Sequence, residues 1–224
     1  RTNRMGEMPV GRLILVMSWP AMLSMMIQAM YNIIDSYFVA KLGEEALAAI
    51  TYINPVHFLL IAFGVGTGVG INSLVSRRLG AKDYEEANLA ASHGYRLGFI
   101  NWLLFLCIGI FGSEPLMHLM TDTPYIVENG VIYMRIMLIG SIFINVQVIT
   151  EKILQATGNM MLPMVCSLSG AIINVVLDPL FIFGIGPFPE WGIAGAAIAT
   201  VISQLISMIL GQIVLFGGKQ TIKV

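Results

Sequence analysis

Charge is scarce in this 224-residue sequence. Asp, Glu, Lys and Arg together supply 11% of it, less than half the share of an ordinary soluble domain, about 25%. A globule surrounded by water needs far more polar surface than that, so a soluble domain is excluded. Cysteine is scarce too. Cys107 and Cys166 lie inside apolar runs, at a spacing that matches no metal or redox motif, which leaves small apolar packing as their role. The formal net charge of −1 says nothing about partners, and no nucleic-acid partner is expected. A signal peptide with its cleavage site is lacking, and the first residue is Arg1 rather than Met; the sequence is expected to be a piece of a longer chain.

What is present is apolar. Hydrophobic residues make up 57%, mean hydropathy is +0.82, and several uncharged stretches exceed the ~18 residues that mark a membrane span. Only helices and closed barrels satisfy their backbone in lipid, and runs of this length read as helices. The expected fold is an all-α membrane protein, a six-transmembrane-helix bundle with spans near 13–40, 52–76, 93–112, 130–150, 162–185 and 193–216. The breaks are polar or bear glycine and proline: "KLGEEALAA", "RRLGAKDYEEAN", "GSEPLMHLMTDTP", "EKILQATGNMMLP" and "GPFPEW". Short connections make successive helices antiparallel.

Orientation follows from the basic residues. With the N-terminus inside, Arg1, Arg4, Arg12, Arg77, Arg78, Lys82, Lys152, Lys219 and Lys223 fall on inner segments and only Lys41 on an outer loop, nine against one. The positive-inside rule therefore predicts N-in and C-in, with Trp19 and Trp191 near span ends as interfacial aromatics.

The strong charges well inside the runs are Asp35, Arg96, Arg135 and Asp178. Arg96 lies near the inner end of the third span and can snorkel. The two acids sit on the first and fifth helices, which both run outward. Asp35 precedes Lys41 by six residues and Asp178 precedes Gly186 by eight, or roughly 9 and 12 Å of helix. Each lies on a polar stripe: Gln28, Tyr31, Asn32 and Asp35 on the first span, Ser167, Gly170, Ala171, Asn174 and Asp178 on the fifth. The sixth adds Thr200, Ser203, Gln204 and Ser207, and the fourth adds Ser141 and Asn145. Interhelical hydrogen bonding is the plainer role of such residues, and a hydrated interfacial position is the plainer role of a lone acid. Two acids at matched depth on facing polar stripes point instead to a shared interior cavity. A carboxylate in a partly dehydrated cavity has its charged form disfavoured, which suits it to hold a proton, or a hard cation where more oxygens join it. Arg135 opposes that role if it pairs with either acid, and is otherwise a rim residue.

Pro20 and Pro179 each remove a helical hydrogen bond, as a static kink or as a hinge beside the acids. "GVGTGVG" at 64–70 lacks the strand and the lysine of a phosphate loop; Gly64/Gly68 and Gly66/Gly70 instead have the small-xxx-small spacing of close helix contacts.

"QAMYNIIDSYFVAKLGEEALAAI", "GVGTGVGINSLVSRRLGAKDYEEAN", "ILQATGNMMLPM" and "INVVLDPLFIFGIGPFPEWGIAGAAIATVISQ", in that order, resemble the multidrug and toxic compound extrusion (MATE) transporters. The resemblance implies one lobe of a twelve-helix, two-lobe transporter, with residues 1–216 as the N-terminal lobe and 217–224 as the start of an inter-lobe linker. It implies a multi-pass protein of a prokaryotic cell membrane that exports amphiphilic organic cations in exchange for protons or sodium, with no other cofactor and with a second lobe as partner. Asp35, with Tyr31 one turn earlier, matches the family's first-helix acid, and Asn174 and Asp178 match its fifth-helix pair. Sodium, if it is the ion, would sit at Asp35, Asn174 and Asp178. Pro20 matches the proline where the first helix of some members bends; Thr200 and Asn145 are looser matches.

Three other readings compete, of which a passive channel or scaffold would show no coupling to an ion gradient. A flippase for lipid-linked saccharides of the same superfamily would need a lumen rich in arginine, and only Arg135 and Arg96 are candidates. An intramembrane aspartyl protease needs Tyr-Asp and Gly-x-Gly-Asp, whereas the acids here sit in "IIDS" and "VLDP"; no enzyme activity is expected.

Overall fold

The structure is a computed structural model that describes residues 7–217 and 222. Arg1, Arg4, Lys219 and Lys223 of the charge argument, and all of the 217–224 segment except Gly217 and Ile222, lie outside the described residues. The described residues form helices α1 (Val10–Ala40), α2 (Glu44–Gly80), α3 (Tyr84–Cys107), α4 (Ser113–Met120), α5 (Pro124–Ile139), α6 (Ser141–Ala156), α7 (Met161–Ile182) and α8 (Ile193–Phe216). A π-helical turn, Ile108–Gly112, joins α3 to α4. Counted by length and hydropathy, α1, α2, α3 with α4, α7 and α8 cross a membrane. The sixth span is α5 and α6 together, bent by 43°.

Several helices run past the spans that hydropathy marks, whereas α8 coincides with its span at 193–216 and α7 ends three residues short of 185. Residues Glu44 onward in "KLGEEALAA" and the start of "EKILQATGNMMLP" are helical, and "RRLGAKDYEEAN" leaves only a tight turn at Ala81–Asp83. Hydropathy reports where the hydrocarbon ends; backbone hydrogen bonds continue past it. The charges at these ends suit helix termini. Glu44 and Glu45 lie in the first turn of α2 and Arg77 and Arg78 in its last, each sign complementing the local dipole. The Asp83 side chain accepts the Glu86 amide at 3.3 Å and caps α3.

The break in the fourth span sits at Gly140. A helix broken inside lipid must find partners for its freed carbonyls. Ser141 Oγ donates to the Leu138 carbonyl at 2.6 Å, and Trp102 Nε1, from α3, donates to that of Ile139 at 2.9 Å. Glycine also lets the joint touch α8, since a Cβ there would lie 2.7 Å from Val201.

Apolar packing forms an outer cluster around Val39, Leu60, Phe105, Met134 and Ile182 and an inner one around Ile71, Val75, Ile149, Ile153 and Leu154. Helix α1 stands apart. Only 6% of its span is buried, against 44% of α8, and its main contact is α7. It runs through the buried Pro20 as continuous helix, and Ser24 Oγ donates to the Pro20 carbonyl at 2.9 Å.

Of the two glycine pairs, Gly64 and Gly68 are buried against α6, beside Asn145 and the Val148 and Lys152 side chains, whereas Gly66 and Gly70 meet nothing within 4 Å. The tightest backbone approach is at Gly195 in the first turn of α8, where a Cβ would press into the Phe181 carbonyl and lie 3.0 Å from the Ile182 nitrogen. Backbone cannot move aside as a side-chain tip can. Gly195→Val is therefore expected to cost about 1–3 kcal/mol and to lower the melting temperature in detergent by several degrees. Gly66→Val should stay within about 0.5 kcal/mol of the parent.

Candidate functional site

The first and fifth spans bring their acids together. Asp35 of α1 and Asp178 of α7 are neighbours, close enough to interact electrostatically. Two ionised carboxylates are both acceptors, so no bond forms between them until one holds a proton. The surroundings do not supply the missing donors. Asp35 Oδ1, Asn174 Oδ1 and both oxygens of Asp178 are buried with no hydrogen-bond partner. Each such orphan costs about 1–3 kcal/mol, and more when charged. Asn174 spends its amide on Thr200, with Nδ2 donating to Oγ1 at 3.2 Å, and Thr200 Oγ1 donates in turn to the Ala196 carbonyl at 3.0 Å. That chain leaves the amide oxygen of Asn174 as an unpaired acceptor. Four buried oxygens without a donor fit a proton or a hard, oxygen-seeking cation.

Tyr31 stands beside Thr200 and interacts electrostatically with both acids. Helical geometry accounts for the set: Tyr31 precedes Asp35, and Asn174 precedes Asp178, by four residues, so each pair shares one helix face. Pro179, directly after Asp178, has no N–H to give the carbonyl one turn earlier, which adds polar backbone at the same depth.

Asp35 faces a cavity of about 310 Å³ between α1, α2, α5, α6, α7 and α8. Gln28, Tyr31, Asn32, Asn174, Thr200, Ser203 and Gln204 all line it. Asp178 is wholly buried behind that wall. Asn145, expected in the lining, is not there: it is 1% exposed, donates from Nδ2 to the Ser141 carbonyl at 3.0 Å, and meets Gly64. Its face of α6 turns to α2, which polarity and region alone do not reveal. Pro20 is buried about four turns below Asp35. Arg135 pairs with neither acid; its Nη2 lies 3.7 Å from Glu114 Oε2, at an exposed rim. It therefore leaves Asp35 and Asp178 without a fixed countercharge.

Three titratable cavity residues escaped the sequence reading. Tyr133 of α5 lines the cavity and interacts with both acids and Tyr31, but it is a single phenol in an apolar run. His57 lies on α2 among apolar neighbours. Glu151 lines the cavity too. It belongs to α6, whereas hydropathy assigns it to the following loop; its signal was the helical spacing with Gln147, four residues earlier.

With this geometry in hand, known proteins are informative. Residues 20–180 match the MatE family profile. The chain is 34% identical over 206 residues to a FAD transporter of Shewanella oneidensis, covering 90% of this chain and 45% of that protein. It is 27% identical over 191 residues to the multidrug export protein MepA of Staphylococcus saprophyticus, covering 85% of this chain and 42% of the relative. A solved outward-facing multidrug resistance MATE transporter of the MOP superfamily superposes with a TM-score of 0.85 at 32% identity, over 95% of this chain and 46% of that one. The chain thus spans less than half the length of these relatives and corresponds to one lobe of a full transporter. Its matched residues, its fold and its relatives agree: the chain belongs to the MatE family of membrane transporters.

Proposed function

We propose that this chain forms the ion-coupling lobe of an antiporter that exports organic cations across a cell membrane by alternating access, in exchange for protons or sodium. The observation that carries this reading is the set of four donorless oxygens on Asp35, Asn174 and Asp178. An ion entering there neutralises the pair and removes the repulsion between α1 and α7. Because α1 is otherwise thinly packed, its contact with α7 is the one that the ion's presence changes most. Exchange follows when the ion stabilises one state and the substrate the other.

The sign of the cavity supports cationic cargo. No Lys or Arg is among its lining residues, whereas Asp35 and Glu151 are. A diphosphate, as in a flavin dinucleotide or a lipid-linked saccharide, would find no cation on this lobe's wall to hold it. The two rim arginines considered for a flippase do not change that: Arg135 is paired with Glu114 and Arg96 is exposed.

In the full-length protein reconstituted in liposomes, Asp35→Asn and Asp178→Asn should each cut ion-gradient-driven efflux by an order of magnitude or more while leaving the fold intact. Undiminished transport in both variants would sink the assignment. Asn174→Ala distinguishes the two ions. It removes one of the few oxygens a sodium ion needs and should raise the half-maximal sodium concentration severalfold; with a proton as the ion, the pH profile should stay in place.

A further inference from the structure

Glu151 is the one charged residue of the cavity that the coupling pair does not use. Along α7, its partner Ser167 lies eleven residues before Asp178, about 16 Å of helix toward the inner side. On α1 the matching level is Ser24, also eleven residues before Asp35 and lining the same cavity. Two acidic positions therefore occupy opposite ends of one cavity.

The inner one is built. Glu151 Oε1 accepts Gln147 Nε2 at 3.1 Å and Ser167 Oγ at 2.9 Å. These bonds come from two helices, α6 and α7, and they hold the carboxylate in one orientation while Oε2 takes part in neither. No ion pair holds it: among the described residues the ion pairs are Arg78–Asp83 and Arg135–Glu114. Lys152, next in sequence, acts on it electrostatically but forms no ion pair with it. Successive helical residues diverge by ~100°, and Lys152 packs beside Gly68 and donates from Nζ to Gln155 Oε1 at 3.1 Å. A half-buried carboxylate fixed by two donors, facing a cavity without a resident cation, is matched by a cation that arrives. Phe58, Ile61, Ile144 and Val148 line the cavity with it, giving the apolar walls that a lipophilic cation requires.

We propose that Glu151, positioned by Gln147 and Ser167, is the docking carboxylate for the positively charged group of the exported substrate, a station separate from the Asp35–Asp178 pair. This rests on the export reading above for its biological sense, but it is testable by binding alone. Substrate and coupling ion then occupy different carboxylates, and they compete through the state of the bundle rather than for one site.

The test uses the purified full-length protein and two probes of similar shape: tetraphenylphosphonium, a lipophilic monocation, and triphenylphosphine oxide, which is neutral. Glu151→Gln keeps an oxygen for Ser167 and removes the charge. It should weaken tetraphenylphosphonium binding about tenfold or more and leave triphenylphosphine oxide unchanged. Glu151→Asp, which retains the charge one methylene further back, should recover part of the affinity. Asp35→Asn should lose ion-driven transport yet still bind the cation. Equal weakening of both probes in Glu151→Gln would show a structural residue and overturn the proposal. So would unchanged tetraphenylphosphonium binding, or failure of the parent protein to prefer the cation. If Asp35→Asn transports normally, the coupling assignment falls while the Glu151 result stands on its own.

Discussion

Two carboxylates on neighbouring helices, facing each other in an apolar bundle with no donor between them, set the terms for the rest of this molecule. Buried charge is tolerated when it is paired or hydrogen-bonded; here the described residues supply neither to Asp178. That unmet demand is what the proposed coupling ion would satisfy. Much of the surrounding structure serves to keep the resident alternatives away. Arg135, the one arginine in the fourth span, is drawn to Glu114 at the rim. The Asn174 amide, a possible donor to the acids, is engaged by Thr200.

Around that constraint the lobe divides its packing unevenly. Among the five single-helix spans α8 is the best buried and α1 the least, and close approaches at Gly170, against Ser207, and at Gly195, against the Phe181 backbone, pin α7 to α8. Helix α1, which brings one acid, rests mainly on α7, which brings the other. In lipid there is no hydrophobic drive to press an apolar helix against its neighbours. The charge state at Asp35 and Asp178 thus weighs heavily in how α1 sits. The fourth span contributes by being broken. Its Gly140 bend is held by Trp102 and Ser141, and it sets α6 so that Gln147 and Glu151 face the cavity and Asn145 faces α2.

Much of this was legible beforehand. The number of spans follows from hydropathy, because lipid imposes length and apolarity on each one. Asp35 and Asp178 stand out for the same reason: a charge in such a run is costly enough to signal itself. Helix ends were legible only to within several residues, since hydropathy detects the bilayer and not the backbone. Glu151 was hidden by that error. A glutamate beside a lysine at the edge of a hydrophobic run looks like loop, and only the continued helix turns it inward.

Composition and spacing by themselves determined an all-helical, six-span membrane bundle, the pairing of polar stripes, and the residues of the outer acidic pair. Those properties are local: each is a matter of what one helix can bury in lipid and which residues share its face. Tertiary structure alone decided that Arg135 leaves the acids unneutralised, that Asn145 is packing rather than lining, and that Tyr133, His57 and Glu151 share the cavity. Each of these depends on the rotation of one helix against another. That rotation is fixed by the bend at Gly140 and by contacts between residues far apart in the chain, which no single segment encodes.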